Sequence, residues 1–107
     1  MEVFRTRVYV KRAKKLLSED EVAAAEREIA EAPEAWPVIV GTGGARKARA
    51  ARGSSGKSGG ARIIYYYMVT GEAIFLLDIY AKNAQENITE ASKKVFREFV
   101  RTLKGDA

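Results

Sequence analysis

A chain of 107 residues that is 47% hydrophobic and 31% charged has the size and composition of one folded domain with a modest core, residues 1–107. With no cysteine it can hold no disulfide, thiolate nucleophile or zinc–thiolate site, and with no histidine any acid–base chemistry falls to Lys, Arg, Tyr, Asp or Glu. The net charge of +5 is concentrated: residues 1–40 sum to −1, residues 63–107 to zero, and Gly41–Arg62 carries +6 with no acidic residue, so a polyanion partner is expected for that segment.

The opening MEVFRTRVYVKRAKKLL has basic residues throughout and no apolar h-region, which argues against a signal peptide. No apolar run approaches the ~18–20 residues of a membrane span, so a cytoplasmic protein without a membrane partner is expected. Within this opening, EVFRTRVYV over Glu2–Val10 is rich in β-branched and aromatic residues and predicts a strand, and KRAKKLL a short helix. Ser18-Glu19-Asp20-Glu21 has the spacing of a capping box for a second helix carrying Val22, Ala25, Ile29 and Ala32 and ending at Pro33. EAPEAWPVIV reads as loop, with Trp36 on the edge of the core. RIIYYYMVT and AIFLLDIY form a hairpin across Thr70-Gly71-Glu72. Thr89 caps a last helix with Val95, Phe96, Phe99, Val100 and Leu103 as its apolar stripe. The order is β-α-α-β-β-β-α: an α+β domain with a small, mainly antiparallel sheet and helices against one face.

Gly41–Arg62 reads GTGGARKARAARGSSGKSGGAR. Twenty-two structureless residues are unusual in so small a domain, so part of it should be ordered. As a strand, RKARAAR turns Ala48 and Ala50 to one face and Lys47 and Arg49 to the other, where they must meet solvent or a ligand. GTGG then becomes a flexible lead-in and GSSGKSGGA a flexible connection. Arg62 opens the next strand, so pairing brings it beside Lys47 and Arg49. Phosphate-loop readings fail on spacing: a Walker A motif ending in Gly56-Lys57-Ser58 needs glycine where Ala51 stands, and a dinucleotide fingerprint from Gly41 needs one at Arg46. A solvated edge strand is the plainer alternative, but such surfaces usually mix signs and this one does not.

GTGGARKARAARGSSGKSGGARIIYYY, IFLLDIYAKNAQENIT and the helix after them resemble the RelE/ParE superfamily of toxins from bacterial toxin–antitoxin modules, most closely its HigB-like branch. The resemblance implies a RelE-like fold and a ribosome-dependent mRNA endonuclease that cuts the A-site codon. It implies neutralisation by a cognate antitoxin, of helix-turn-helix, HigA-like type, through which alone operator DNA would be bound. Carried over by position, the catalytic cations of the middle strands fall on Lys47 and Arg49, that of the next strand on Arg62, and a further one on Lys82 or Asn83. Arg46, Arg52, Lys57 and Asn83 are expected to contact RNA. One departure stands out: the Tyr near the start of the last helix in RelE has no counterpart at Asn87, Ile88 or Thr89.

The chemistry can be reasoned separately. Attack by a ribose 2′-OH needs a base, charge stabilisation on the phosphorane and an acid for the 5′-oxygen. Lysine, at a usual pKa of ~10.4, is a poor base at neutral pH, but crowding by Arg46, Arg49 and Arg62 favours the neutral amine and makes Lys47 the base candidate. Permanently charged Arg49 and Arg62 suit phosphate clamping. No metal and no cofactor is expected. The rival readings are a ParE-like toxin that binds gyrase without cleaving RNA, and a non-catalytic nucleic-acid-binding module. Smaller expectations concern single residues: Tyr65–Tyr67 pack in the core, Asp78 pairs with a basic neighbour, and Lys93, Lys94, Arg97, Arg101 and Lys104 form the solvent face of the last helix.

Overall fold

The computed structural model describes residues 1–53, 59–83 and 88–105 and realises the expected order of seven elements. These are strand β1 (Glu2–Arg5), helices α1 (Arg7–Leu16) and α2 (Glu19–Glu31), strands β2 (Arg46–Ala50), β3 (Ala61–Met68) and β4 (Ala73–Ala81), and helix α3 (Glu90–Lys104). The four strands form one sheet in the order β1-β4-β3-β2, antiparallel except for the parallel pair β1–β4.

Thr6 corrects the first expectation. The strand expected to reach Val10 stops at Arg5, because the Thr6 hydroxyl accepts from the Tyr9 amide at 3.1 Å and caps α1. Tyr9, Ala13 and Leu17 then fall at helical spacing and are buried against the sheet, an arrangement that outweighs the β-propensity of Val8 and Val10. The capping box forms as expected: the Ser18 hydroxyl accepts from the Glu21 amide, and a Glu21 carboxylate oxygen accepts from the Ser18 amide at 2.8 Å. The second Glu21 oxygen accepts from the Gly53 amide at 2.6 Å. The two amide bonds, from Ser18 and from Gly53, hold this carboxyl below the usual carboxylate range.

Helices cover both faces of the sheet rather than one. On the first face Tyr9, Ala13, Leu17, Ala25 and Ile29 of the helical hairpin pack on Ala48, Ala50, Ile63, Tyr65, Ile74, Leu76 and Ile79. On the second, Phe96 and Val100 of α3 pack on Ile64, Tyr66, Leu77 and Tyr80. The cause lies in β3 and β4, which are apolar on both faces; each buried Ile, Leu or Phe contributes about 1.5–3 kcal/mol, so one layer of helices would leave half of that unused. Tyr65 and Tyr66 are core residues and Tyr67 is partly buried against the first face, as expected; the Tyr65 hydroxyl donates to the Pro33 carbonyl at 2.7 Å, and burial pushes it up to about 12.

The expected flexible lead-in GTGG is a folded turn. Thr42 is fully buried, donating to the Ile39 carbonyl at 2.7 Å and accepting from the Ala45 amide at 3.0 Å. Gly44 has φ +129°, a conformation that favours glycine, and a Cβ there would press on the Tyr66 ring at 3.2 Å. From α3, Arg97 donates to the Gly41 carbonyl at 3.0 Å and Lys104 to that of Gly43 at 2.9 Å, while both stay exposed on the solvent face expected for them.

Candidate nucleic-acid interface

β2 places its cations through strand alternation alone. Ala48 and Ala50 are buried on the first face, so Lys47 and Arg49 rise from the second, about 6.8 Å apart along the strand. Pairing with β3 sets Arg49 directly opposite Arg62, and Lys47 opposite Ile64. Like charges directly across a strand pair oppose folding, so this register carries two guanidinium groups at a cost. The apolar part of the second face lies under α3; the cationic part lies beside it.

The connection from α2 turns that part into a cleft. After Pro33 the chain doubles back along the outer edge of β2: Val38 bridges Arg46, and the Lys47 amide donates to the Pro37 carbonyl at 3.2 Å. Trp36 and Pro37 thereby form a wall. They enclose, with Lys47, Arg49, Arg62 and Lys82, a hollow of about 210 Å³. Lys82 is brought there by the turn after β4, where its amide donates to the Gly60 carbonyl at 3.0 Å. Among the described residues no carboxylate lines the hollow, and a polyanion suits the charge of its lining.

The four residues placed in catalytic roles by sequence, Lys47, Arg49, Arg62 and Lys82, are therefore together. Their exposure differs. Arg49 is exposed and Lys47 half-buried, whereas Arg62, expected to face solvent, is only 9% exposed and donates to the Ala61 carbonyl at 3.2 Å. The reason is its place inside the sheet, between β2 and Tyr80 of β4, its cross-strand partners.

The residues expected to contact RNA are dispersed. Arg46 alternates onto the first face and donates to the Glu34 carbonyl at 3.1 Å and the Trp36 carbonyl at 2.6 Å, which fixes the wall from behind. Arg52 reaches the C-terminal end of α1, donating to the Leu16 carbonyl at 3.1 Å. Asn83 is exposed in the turn after Lys82 and is not part of the cleft lining. Lys57 lies outside the described residues, as does Asn87. At the start of α3, Ile88 packs on the second core and Thr89 caps the helix by accepting from the Ser92 amide, so these two positions supply no ring.

Sequence reasoning missed Trp36 and Pro37 as walls and Tyr80 as the cross-strand neighbour of Arg62. Tyr80 is buried, its hydroxyl has no hydrogen-bond partner among the described residues, and burial pushes it upward against the opposing pull of Arg62. Only the fold-back of the α2–β2 connection reveals the wall, and no local motif marks it. Asp78 is outside the cleft, paired as expected with a cation: Arg12 donates to its two oxygens at 2.7 and 2.9 Å. Among the described residues no three His, Cys, Asp or Glu are grouped to hold a metal ion, and no helix is long and apolar enough to cross a membrane.

A family model described as the RelE toxin of the RelE/RelB toxin–antitoxin system matches residues 1–106. Among solved structures the chain is similar to the isolated E. coli RelE toxin, at 17% identity and a TM-score of 0.59, covering 92% of this chain and 97% of that one. It is also similar to a chain of the intact E. coli RelBE toxin–antitoxin complex, at 19% identity and TM-score 0.58, covering 75% and 94%. At these identities the likeness is one of fold.

Proposed function

The chain belongs to the RelE toxin family, and from that premise we propose that it is the toxin of a toxin–antitoxin pair and acts as a ribosome-dependent mRNA endonuclease, blocking translation. One observation carries the reading: Lys47, Arg49, Arg62 and Lys82 line a single cleft. In this reading the Lys47 amine takes the proton of a ribose 2′-OH, whose oxygen attacks the adjacent phosphorus. Arg49 and Arg62 balance the charge that grows on the phosphorane. The P–O5′ bond breaks, and a proton from Lys82 restores the 5′-hydroxyl; guanidinium groups, which do not release protons at such pH, are unsuited to that step. Each preorganised donor of this sort is worth about 2.7–4 kcal/mol, and the ribosome supplies orientation of the codon.

The partners proposed are the ribosome with its mRNA and rRNA, and a cognate antitoxin. The E. coli relative is known in a complex with one, and the cationic cleft suits an acidic antitoxin segment. Helix-turn-helix, HigA-like character for that antitoxin, and operator binding through it, belong to the same proposal. A gyrase-directed toxin of this fold has no need of four cations around one hollow. Mapping transcript 5′ ends after induction tests the reading, with a supercoiling assay alongside. New 5′ ends within coding regions and unchanged supercoiling are expected; relaxed DNA with intact transcripts would overturn it in favour of gyrase.

A further inference from the structure

We propose that Trp36 is the base-stacking residue of the cationic cleft, and that its ligand is therefore single-stranded RNA read by base as well as by phosphate. The inference rests on the nuclease reading for its substrate class and on the cleft for its geometry.

Three observations carry it. First, among the described residues Trp36 is the one aromatic in a lining otherwise made of Pro37 and four cations. A site for bare phosphate needs only the cations. A flat apolar surface beside them matches a nucleotide, whose base stacks while its phosphate is clamped. Second, the wall is held in place before any ligand arrives. The Trp36 carbonyl accepts from Arg46 at 2.6 Å, the next carbonyl accepts from the amide of Lys47, and the indole packs against the first core. The ring is thus tied to the strand that carries the proposed base, and little is left to order on binding. Third, α3 begins without a ring: Ile88 is engaged in the second core and the Thr89 side chain in its cap. Among the described residues that line the cleft, a ring able to stack on a base is therefore found at Trp36.

Trp36 is the sole tryptophan of the chain, so its emission reports on the cleft. The full chain is titrated with a short 2′-O-methylated single-stranded oligoribonucleotide, which cannot be cut by its own 2′-oxygen, and separately with inorganic polyphosphate. Binding is followed independently through the anisotropy of labelled oligonucleotide. RNA should quench or shift the emission and polyphosphate should leave it nearly unchanged. Trp36→Ala should weaken RNA binding about tenfold while polyphosphate binding stays within about twofold, and Trp36→Phe should restore most of the loss. The Phe variant keeps a ring in the wall, so it separates stacking from any folding defect of the Ala variant. RNA that binds without moving the emission, polyphosphate that moves it equally, or no RNA binding at all overturns the proposal. RNA that stacks on Trp36 while transcripts stay intact leaves this inference standing and removes the nuclease.

Discussion

Two regions of this chain are rich in positive charge and differ in what is built around it. Helix α1 carries Arg7, Lys11, Arg12, Lys14 and Lys15 with no acidic residue, almost as many cations as the six of Gly41–Arg62 and in a shorter run. A helix turns successive side chains by about 100°, so Arg7, Lys11, Lys14 and Lys15 fall on one side of it and, with Arg5 and Val10, line an open hollow of about 500 Å³. Arg12 is taken up by Asp78, and the neighbouring α2 carries six acidic residues and one basic. The β2–β3 pair projects Lys47, Arg49 and Arg62 from one face, opposes two of them across the strands, and has a wall folded over them. Density of charge is common to both. Cations share one side in both, but a wall folded over them and a cation buried in the sheet, Arg62, belong to the β2–β3 cleft, and such a cleft is what clamps a phosphate.

The largest effect that should separate the regions is on cleavage. Lys47→Ala or Arg49→Ala should lower the yield of new transcript 5′ ends by about 10² or more, whereas Lys11→Ala with Lys14→Ala should change it by no more than about threefold. Equal losses in both regions would mean that overall charge, and not the cleft, carries activity.

A smaller effect concerns what holds each region in place. Thr42→Val leaves the Ala45 amide buried without its acceptor at the turn that leads into β2, a cost of about 1–3 kcal/mol. Thermal melts should fall by roughly 4–8 °C per kcal/mol in a domain of this size. Asp78→Ala removes the partner of Arg12, which is itself half-exposed, and should cost about 1 kcal/mol or less. The reverse ranking would show that the α1 contact, rather than the glycine turn, is the stiffer support.

Much of this was legible in the sequence, and the reasons are local. Ser18 and Glu21 announce their helix because a capping box is four residues long. Ala48 and Ala50 announce which way Lys47 and Arg49 point, because a strand alternates. The cleft residues from β2, β3 and the turn after β4 could be named before their contacts were seen. What stayed hidden depends on contacts distant in the chain. Val8 and Val10 suggest a strand until Thr6 and the burial of Tyr9 make a helix of them. Trp36 belongs to a loop whose path is set by bonds from Arg46 and Lys47, and Arg46 looked like an RNA contact until its alternation carried it to the other face. A charge sum over residues 1–40 hid α1 altogether, because the acids of α2 cancel it.

The most direct test of the walled cleft is to ask where RNA touches the protein. A single-stranded RNA carrying 4-thiouridine is photocrosslinked to the full chain and the modified residues are located by mass spectrometry. The account predicts crosslinks at Trp36, at Lys47–Arg49, at Arg62 and at Lys82. Crosslinks gathered on Arg7–Lys15, with the cleft untouched, would contradict it.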